Sequence, residues 1–114
     1  FPSPADDHME GKLDLNTHLI KHPSATFFVK ATGDSMIGAG IHEGDILVVD
    51  RSLEARNGKV VIAAVDGNLT VKRLKKSGKD TLLSPENNNY KPIKLTENND
   101  VVIWGVVTNV IHKV

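Results

Sequence analysis

Ser35 and Lys72 are the two residues of this chain whose types could together perform covalent chemistry. A serine hydroxyl is a weak nucleophile until a base within hydrogen-bonding distance removes its proton. A lysine can be that base when burial lowers its pKa, because an ammonium group is penalised on leaving water. Taken singly, a serine after Gly-Asp is typical of a turn and a lysine on a strand is typical of solvated surface. The two residues predict a catalytic dyad only if the fold brings their side chains together.

The turn that contains Ser35 is also a candidate oxyanion site. Ser35 lies in the stretch Gly33-Asp34-Ser35-Met36, directly after the β-rich residues 26–31. We expect those residues to form a strand that leads into the turn. Unpaired backbone N–H groups gather at the start of a helical turn and are the usual donors to an oxyanion. The backbone N–H groups of Ser35 and Met36 are therefore the predicted oxyanion donors.

Lys72 lies on the second strand of the strongest hairpin signal in the chain. Asp66-Gly67 is a two-residue turn of the kind that closes hairpins, and apolar runs flank it on both sides. In that register Lys72 is opposite Val61. By the two-residue period, its side chain shares a face with Val61, Ala63 and Thr70. Such an apolar face would lower the pKa of the lysine, so the register predicts a neutral base.

The remaining elements predict a mainly β fold. Asp14 is expected to cap one short helix over residues 15–21, and the apolar run Ile46–Asp50 indicates a strand buried on both faces. Residues 100–112 are almost entirely apolar and contain Gly105, which favours a bulge or bend. Because successive side chains of a strand point to opposite faces, we expect Val102, Trp104 and Val106 to lie on one face of this segment. We expect about seven strands in a strongly curved sheet or partly open barrel, with one short helix.

Composition indicates one soluble domain. The chain has 114 residues, and we expect an extended N-terminal arm over residues 1–12 and a single β domain over residues 13–114. Fourteen basic and fourteen acidic residues give a formal net charge of zero, which argues against nonspecific binding to DNA or to an anionic membrane. No apolar run approaches the length of a membrane span, and no signal peptide is visible. The lack of cysteine excludes disulfides, thiol catalysis and thiolate metal sites.

One pair of histidines has a spacing that occurs in metal sites. His18 and His22 are four residues apart, which places two imidazoles on one face of a helix. No carboxylate lies between them in the position that zinc peptidases use, and Pro23 distorts the turn. The sequence therefore predicts no metal site and no cofactor.

The motifs around Ser35 and Lys72 resemble those of the serine–lysine self-cleaving proteins of the bacterial SOS response, the LexA-like peptidases. The 37 positions between the two residues match that family (72 − 35 = 37). So do Glu43-Gly44-Asp45 and Thr70-Val71-Lys72-Arg73-Leu74. The N-terminal half is similar to the UmuD/MucA branch, on the stretches Phe1-Pro2-Ser3-Pro4-Ala5, Leu13-Asp14-Leu15-Asn16 and His22-Pro23-Ser24-Ala25-Thr26. The resemblance covers nearly the whole chain.

The resemblance implies a function as well as a fold. It implies a LexA/signal-peptidase-like β fold in which Ser35 is the nucleophile and a neutral Lys72 the general base. It also implies a processed, UmuD′-like accessory subunit of an error-prone translesion DNA polymerase in the bacterial cytoplasm. The implied partners are a second copy of the chain, a UmuC-like polymerase subunit and, for the precursor, the RecA–single-stranded DNA filament that stimulates self-cleavage of its arm. Neither sequence-specific DNA binding nor a membrane is implied.

Two other functions use a similar domain. The C-terminal half of a LexA-like transcription repressor would need a DNA-reading helix-turn-helix upstream, and the UmuD-like N-terminal motifs argue against it. A signal-peptidase-like membrane enzyme uses the same dyad but needs a membrane anchor. The apolar C-terminal strand has two interpretations of equal weight, a surface that pairs two subunits or a central strand of the core.

Overall fold

The computed structural model describes residues 11–114, which form one antiparallel sheet of seven strands. The strands are β1 (Thr26–Lys30), β2 (Ile46–Asp50), β3 (Val60–Val65), β4 (Asn68–Ser77), β5 (Asp80–Ser84), β6 (Ile93–Leu95) and β7 (Val101–Ile111). Their order in the sheet is β1-β2-β7-β3-β4-β5-β6. Because β1 and β6 form its two edges, the sheet is not closed. The predicted mainly β fold of about seven strands with one short helix is confirmed.

The single α-helix, α1, is shorter than the sequence suggested. It spans Leu15–Leu19, and the Asp14 side chain caps it by accepting hydrogen bonds from the backbone N–H groups of Asn16 and Thr17. Ile20 already has an extended backbone, so the helix ends before the predicted residue 21. Two single turns of 3₁₀ helix complete the helical content of the described residues, at Pro23–Ala25 and Ile37–Ala39.

The sheet buries apolar side chains on both of its faces. One cluster surrounds Leu47, Val49 and Ile62, and Met36 and Ile41 from the segment after β1 close over it. The other cluster contains Val61, Ala63, Leu74, Leu83 and Val106. Met36 immediately follows Ser35 and is only 2% exposed. Burial of Met36 therefore anchors the candidate nucleophile to the core of the domain.

β7 is the strand that joins the two halves of the sheet. It pairs with β2 along Val106–Ile111 and with β3 along Val101–Val106. Gly105 approaches β2 so closely that a Cβ atom built on it would lie 2.7 Å from Val49 Cγ1. The bend expected at this glycine is confirmed, because the register with β3 shifts between the partners Gly105 and Ile103.

That shift overturns the prediction that Val102, Trp104 and Val106 share a face. Trp104 is skipped in the pairing with β3, so Val102 and Val106 point to opposite sides of the sheet. Val106 is buried at 2% exposure, whereas Val102 is 53% exposed. A period of two does not continue through a bulge, and the sequence does not show on which side of Gly105 the extra residue falls.

Two histidines bind the carboxylates that flank β2. Asp45 precedes the strand and Asp50 ends it, and both are buried. His112 Nδ1 lies 2.6 Å from Asp45 Oδ1, and His22 Nδ1 lies 2.6 Å from Asp50 Oδ2. Each end of β2 is thereby linked to a segment that is distant in the sequence.

Candidate active site

Ser35 lies in an exposed turn that the loop between β5 and β6 holds in place. Its carbonyl oxygen accepts a hydrogen bond of 2.8 Å from the backbone N–H of Glu86, whose own carbonyl accepts one of 2.8 Å from the N–H of Gly38. A Cβ atom on Gly38 would lie only 2.6 Å from the Glu86 oxygen, so this close approach needs glycine. The turn and the loop therefore form one hydrogen-bonded unit.

Asp34, the neighbour of Ser35, adds two further contacts to the same loop. Its carbonyl oxygen accepts a hydrogen bond of 2.9 Å from Asn87 Nδ2, and its carboxylate accepts one from the Tyr90 hydroxyl. The negative carboxylate raises the pKa of Tyr90, because the bond to it favours the protonated phenol. Ser35 is thus fixed from both sides although it belongs to no strand.

The register of the hairpin that carries Lys72 is as predicted. Val65 pairs with Asn68, and Lys72 is opposite Val61. β5 pairs with β4 only from Arg73 onward, so Lys72 lies where the outer edge of β4 has no partner strand among the described residues. A lysine side chain at that point can turn around the edge of the sheet.

The structure brings Ser35 and Lys72 into direct contact. Lys72 Nζ lies 2.9 Å from Ser35 Oγ, 2.8 Å from Thr70 Oγ1 and 3.0 Å from the Val71 carbonyl oxygen. The separation from Ser35 is the distance of a hydrogen bond, although the two residues are 37 positions apart. The predicted nucleophile and base therefore meet the geometric requirement for proton transfer.

Burial lowers the pKa of Lys72 below the usual value of a lysine. The direction is the one predicted, and the cleft beside Nζ adds apolar residues that the register did not indicate. The cleft that contains Lys72 and Ser35 is lined by side chains of the opposite face of the sheet, among them Ala31, Leu47, Ile62 and Val71. Val61 and Ala63 instead pack in the second cluster. The side chain of Lys72 reaches the other face because it passes around the unpaired edge of β4.

A neutral Lys72 has one lone pair and two N–H bonds, and the three neighbours of Nζ match this pattern. The Val71 carbonyl oxygen can only accept a hydrogen bond, and the Thr70 hydroxyl oxygen can accept the second N–H. The lone pair is then left for the hydroxyl proton of Ser35. The three contacts suit a neutral amine in the orientation of a general base, and burial, which lowers the pKa of Lys72, favours that neutral form.

The predicted oxyanion donors are next to the nucleophile. Among the hydrogen bonds of residues 11–114, neither the backbone N–H of Ser35 nor that of Met36 donates to another protein atom. Their role as donors to an oxyanion remains a prediction.

Comparison with known families identifies the chain. The family model described as peptidase S24-like matches residues 1–108. The chain belongs to the S24-like peptidase family. This is a family of serine peptidases that cleave themselves.

Several S24-like relatives cover nearly all of the chain. Protein SamA of Salmonella typhimurium (strain LT2) is 49% identical over 113 residues, which are 99% of this chain and 78% of SamA. Protein ImpA of Salmonella typhimurium is 46% identical over 117 residues, 99% of this chain and 77% of ImpA. Protein MucA of Escherichia coli is 43% identical over 110 residues, 96% of this chain and 75% of MucA. The resemblance to the UmuD/MucA family is confirmed.

Sequence reasoning missed the residues that hold Ser35, the candidate nucleophile, in place. Glu86, Asn87 and Tyr90 are more than 50 positions from the turn they support, and no spacing rule connects them to it. For Glu86 and Asn87 the sequence offers one signal, which is that the stretch Leu82-Leu83-Ser84-Pro85-Glu86-Asn87 is similar to LexA-like proteins. None of the helices in residues 11–114 is long and apolar enough to cross a bilayer.

Proposed function

We propose that this S24-like peptidase cleaves its own N-terminal arm, with Ser35 as the nucleophile and Lys72 as the general base. The observation that carries the proposal is the 2.9 Å contact between Lys72 Nζ and Ser35 Oγ. It is supported by burial of the amine, which lowers its pKa, and by the cleft of about 260 Å³ beside the pair. Apolar side chains such as those of Leu47 and Ile62 and polar ones such as those of Ser35 and Thr70 line the cleft.

The reaction is an acyl transfer in two steps. Lys72 Nζ accepts the hydroxyl proton as Ser35 Oγ attacks the scissile carbonyl carbon. The negative charge that develops on the carbonyl oxygen is stabilised by the N–H groups of Ser35 and Met36. Lys72 then donates its proton to the leaving amine, and the C–N bond breaks. A water molecule then gives a proton to Lys72 as its oxygen attacks the ester carbon. The bond between that carbon and Ser35 Oγ breaks, and Lys72 returns the proton to Ser35 Oγ, which restores the dyad.

The biological role that fits this chemistry is that of an accessory subunit of an error-prone, translesion DNA polymerase in the bacterial SOS response. Two observations support this role: the chain belongs to the S24-like family, and its sequence is 43–49% identical to those of MucA, ImpA and SamA. The proposed partners are a second copy of the chain, a UmuC-like polymerase subunit and the RecA–single-stranded DNA filament, which stimulates cleavage of the precursor. The proposed location is the bacterial cytoplasm.

The proposed substrate segment is the arm of the precursor, upstream of the stretch Phe1-Pro2-Ser3-Pro4-Ala5, and it is distinct from the extended segment predicted over residues 1–12. The division into an arm over residues 1–12 and a β domain over residues 13–114 stays a prediction, since residues 1–10 lie outside the described part of the chain. Residues 11 and 12 are exposed and belong to no helix or strand.

A cleavage assay between two molecules tests the proposal. An arm-bearing form of this chain with Ser35→Ala is mixed with the chain as given, at mildly alkaline pH, and release of the arm is followed on a gel. We expect cleavage that is lost when the second molecule carries Lys72→Ala. Cleavage by that Lys72→Ala chain at an unchanged rate would contradict the role of the lysine.

A measurement on the arm-bearing form alone covers the case in which cleavage is strictly intramolecular. We expect Ser35→Ala and Lys72→Ala to block loss of the arm, while Lys76→Ala, a change on the exposed end of β4, leaves the rate unchanged. Circular dichroism that matches the unmodified protein shows that the variants fold. A folded Ser35→Ala variant that still loses its arm would refute the proposed nucleophile.

A further inference from the structure

A second cluster of groups with chemical potential lies away from the dyad, at the end of β2 where the chain enters the strand. Asp45 is 3% exposed, and both of its carboxylate oxygens have histidine partners. Oδ1 lies 2.6 Å from His112 Nδ1. Oδ2 accepts a hydrogen bond of 2.8 Å from the backbone N–H of His42 and lies 3.7 Å from His42 Nδ1. None of these three residues lines the cleft of Ser35 and Lys72.

The two imidazole rings of this cluster face each other over the buried carboxylate. Their centroids are 4.8 Å apart, with an angle of 38° between the ring planes. The side chains of His42 and His112 are 46% and 47% exposed. The rings can therefore turn at little steric cost, whereas the carboxylate is held by the backbone. One fixed oxygen donor and two adjustable nitrogen donors thus lie at one point of the surface.

We propose that His42, Asp45 and His112 bind one divalent transition-metal ion, of which Zn²⁺ is the representative case. The donor set is the first argument. Imidazole nitrogen and carboxylate oxygen are both zinc ligands, and imidazole also suits copper and nickel. Three protein ligands leave at least one coordination position for water or another ligand.

The second argument is distance. One ligand atom from each of the three residues lies within 4.8 Å of the other two. Ligand atoms around a tetrahedral zinc ion are roughly 3.3 Å apart, since the Zn–N and Zn–O bonds are about 2.0–2.2 Å long. The most distant pair of ligand atoms must therefore approach by about 1.5 Å, whereas His112 Nδ1, which lies 2.6 Å from Asp45 Oδ1, must move away by about 0.7 Å. Rotation of two half-exposed rings supplies that movement without any change in the backbone.

The ion would connect two parts of the fold that are remote in sequence. His112 directly follows β7, while His42 and Asp45 flank the turn before β2. That turn is bound to the segment that leads to Ser35, because Asp45 O accepts a hydrogen bond of 2.8 Å from Ala31 N and Gly44 N donates one of 2.8 Å to Ala31 O. We therefore expect the metal to stabilise the folded domain as well as to bind to it.

Titration of the untagged chain with ZnCl₂ tests the proposal. Isothermal calorimetry should give one ion per chain at micromolar Zn²⁺, and thermal unfolding should move to higher temperature in its presence. Co²⁺ in place of Zn²⁺ should give visible absorption bands of nitrogen and oxygen coordination. Failure to bind at micromolar Zn²⁺, or a stoichiometry of one ion per two chains, would overturn the proposal of a site within one chain.

Single substitutions assign the site. His42→Ala and His112→Ala should each weaken Zn²⁺ binding at least roughly tenfold, by analogy with other changes in metal sites. Asp45→Asn should weaken it in the same direction while its amide oxygen still accepts the bond from His42 N–H. His18→Ala, an exposed histidine on α1, is the matched control and should leave affinity unchanged. Unaltered binding by a folded His42→Ala/His112→Ala chain would refute the site.

Discussion

At the scale of single residues, the chemistry depends on how Lys72 is solvated. Lys72 Nζ lies within hydrogen-bonding distance of three protein oxygens, those of the Ser35 and Thr70 hydroxyls and of the Val71 carbonyl. Burial lowers the pKa of the amine. Desolvation favours the neutral amine, and the Thr70 and Val71 oxygens orient it. A lysine in this environment can accept a proton from Ser35, which a solvated lysine at neutral pH would not do.

The rate of arm cleavage should therefore rise with pH. In the proposed mechanism Lys72 acts as the neutral amine, and the fraction of that form grows as the pH passes upward through the lowered pKa. We expect the half-maximal rate at a pH below the usual pKa of a lysine, measured by following arm release over a pH series. Lys72→Arg is the control, because a guanidinium stays charged and should be inactive at every pH. A rate that is independent of pH would contradict a lysine base.

Thr70 should act as a positioning residue for that base. Thr70→Val removes the oxygen that accepts one N–H of Lys72 and keeps the shape of the side chain. We expect the cleavage rate to fall roughly three- to tenfold, the effect of one lost hydrogen bond. Thr70→Ser keeps the hydroxyl and should retain most of the rate. Equal rates for both variants, with unchanged folding, would show that the hydroxyl does not orient Lys72.

At the scale of elements, the sequence predicted local arrangements well and long-range ones poorly. The register of β3 with β4 follows from Asp66-Gly67, because a two-residue turn fixes which residues are opposite each other. The bulge at Trp104 was not located, since its position depends on how β7 fits between β2 and β3. The contact between Ser35 and Lys72 followed from family resemblance, whereas the loop that holds Ser35 had no local signal.

The close approach of Gly38 to Glu86 gives a test of that loop. Gly38→Ala would place a Cβ atom 2.6 Å from the Glu86 carbonyl oxygen and push the loop away from the turn. We expect the free energy of unfolding to fall by about 1–3 kcal/mol and arm cleavage to slow. Urea unfolding and the gel assay measure the two effects. Gly11→Ala, which has no atom within 4 Å of the new carbon, is the control and should change neither.

At the scale of the whole molecule, the exposed apolar residues indicate where a second copy could bind. Ala64 of β3 pairs with Val102 of β7 on one side and with Leu69 of β4 on the other. Val102 is 53% exposed and Leu69 is 54% exposed, and Trp104, two residues after Val102, is 41% exposed. β7 is at the same time a central strand of the sheet, paired with β2 and β3. The two interpretations of this strand are therefore compatible, since its face and not its edge would meet the partner.

We predict that the chain is a homodimer at micromolar concentration and that Val102→Asp makes it monomeric. Burying a new charge in an apolar interface is costly, so the effect should be large. Phe28→Asp is a matched control because Phe28 is similarly exposed, at 56%, but lies on another strand. Sedimentation velocity measures both variants. A monomeric unmodified chain, or dissociation by Phe28→Asp alone, would contradict the proposed interface.

The place of β7 in the sheet has a consequence for the timing of peptidase activity during synthesis. Ser35 follows β1 and Lys72 belongs to β4, and in the strand order the two halves of the sheet meet only through β7, whose residues are translated after both. We expect the nascent chain to form a β1–β2 pair and a β3–β4 hairpin before β7 is available to join them. A ribosome-bound chain without β7 would then carry an intact serine and lysine without the strand that joins their two halves of the sheet. We expect this order of the strands to delay the proposed self-cleavage until β7 has been synthesised.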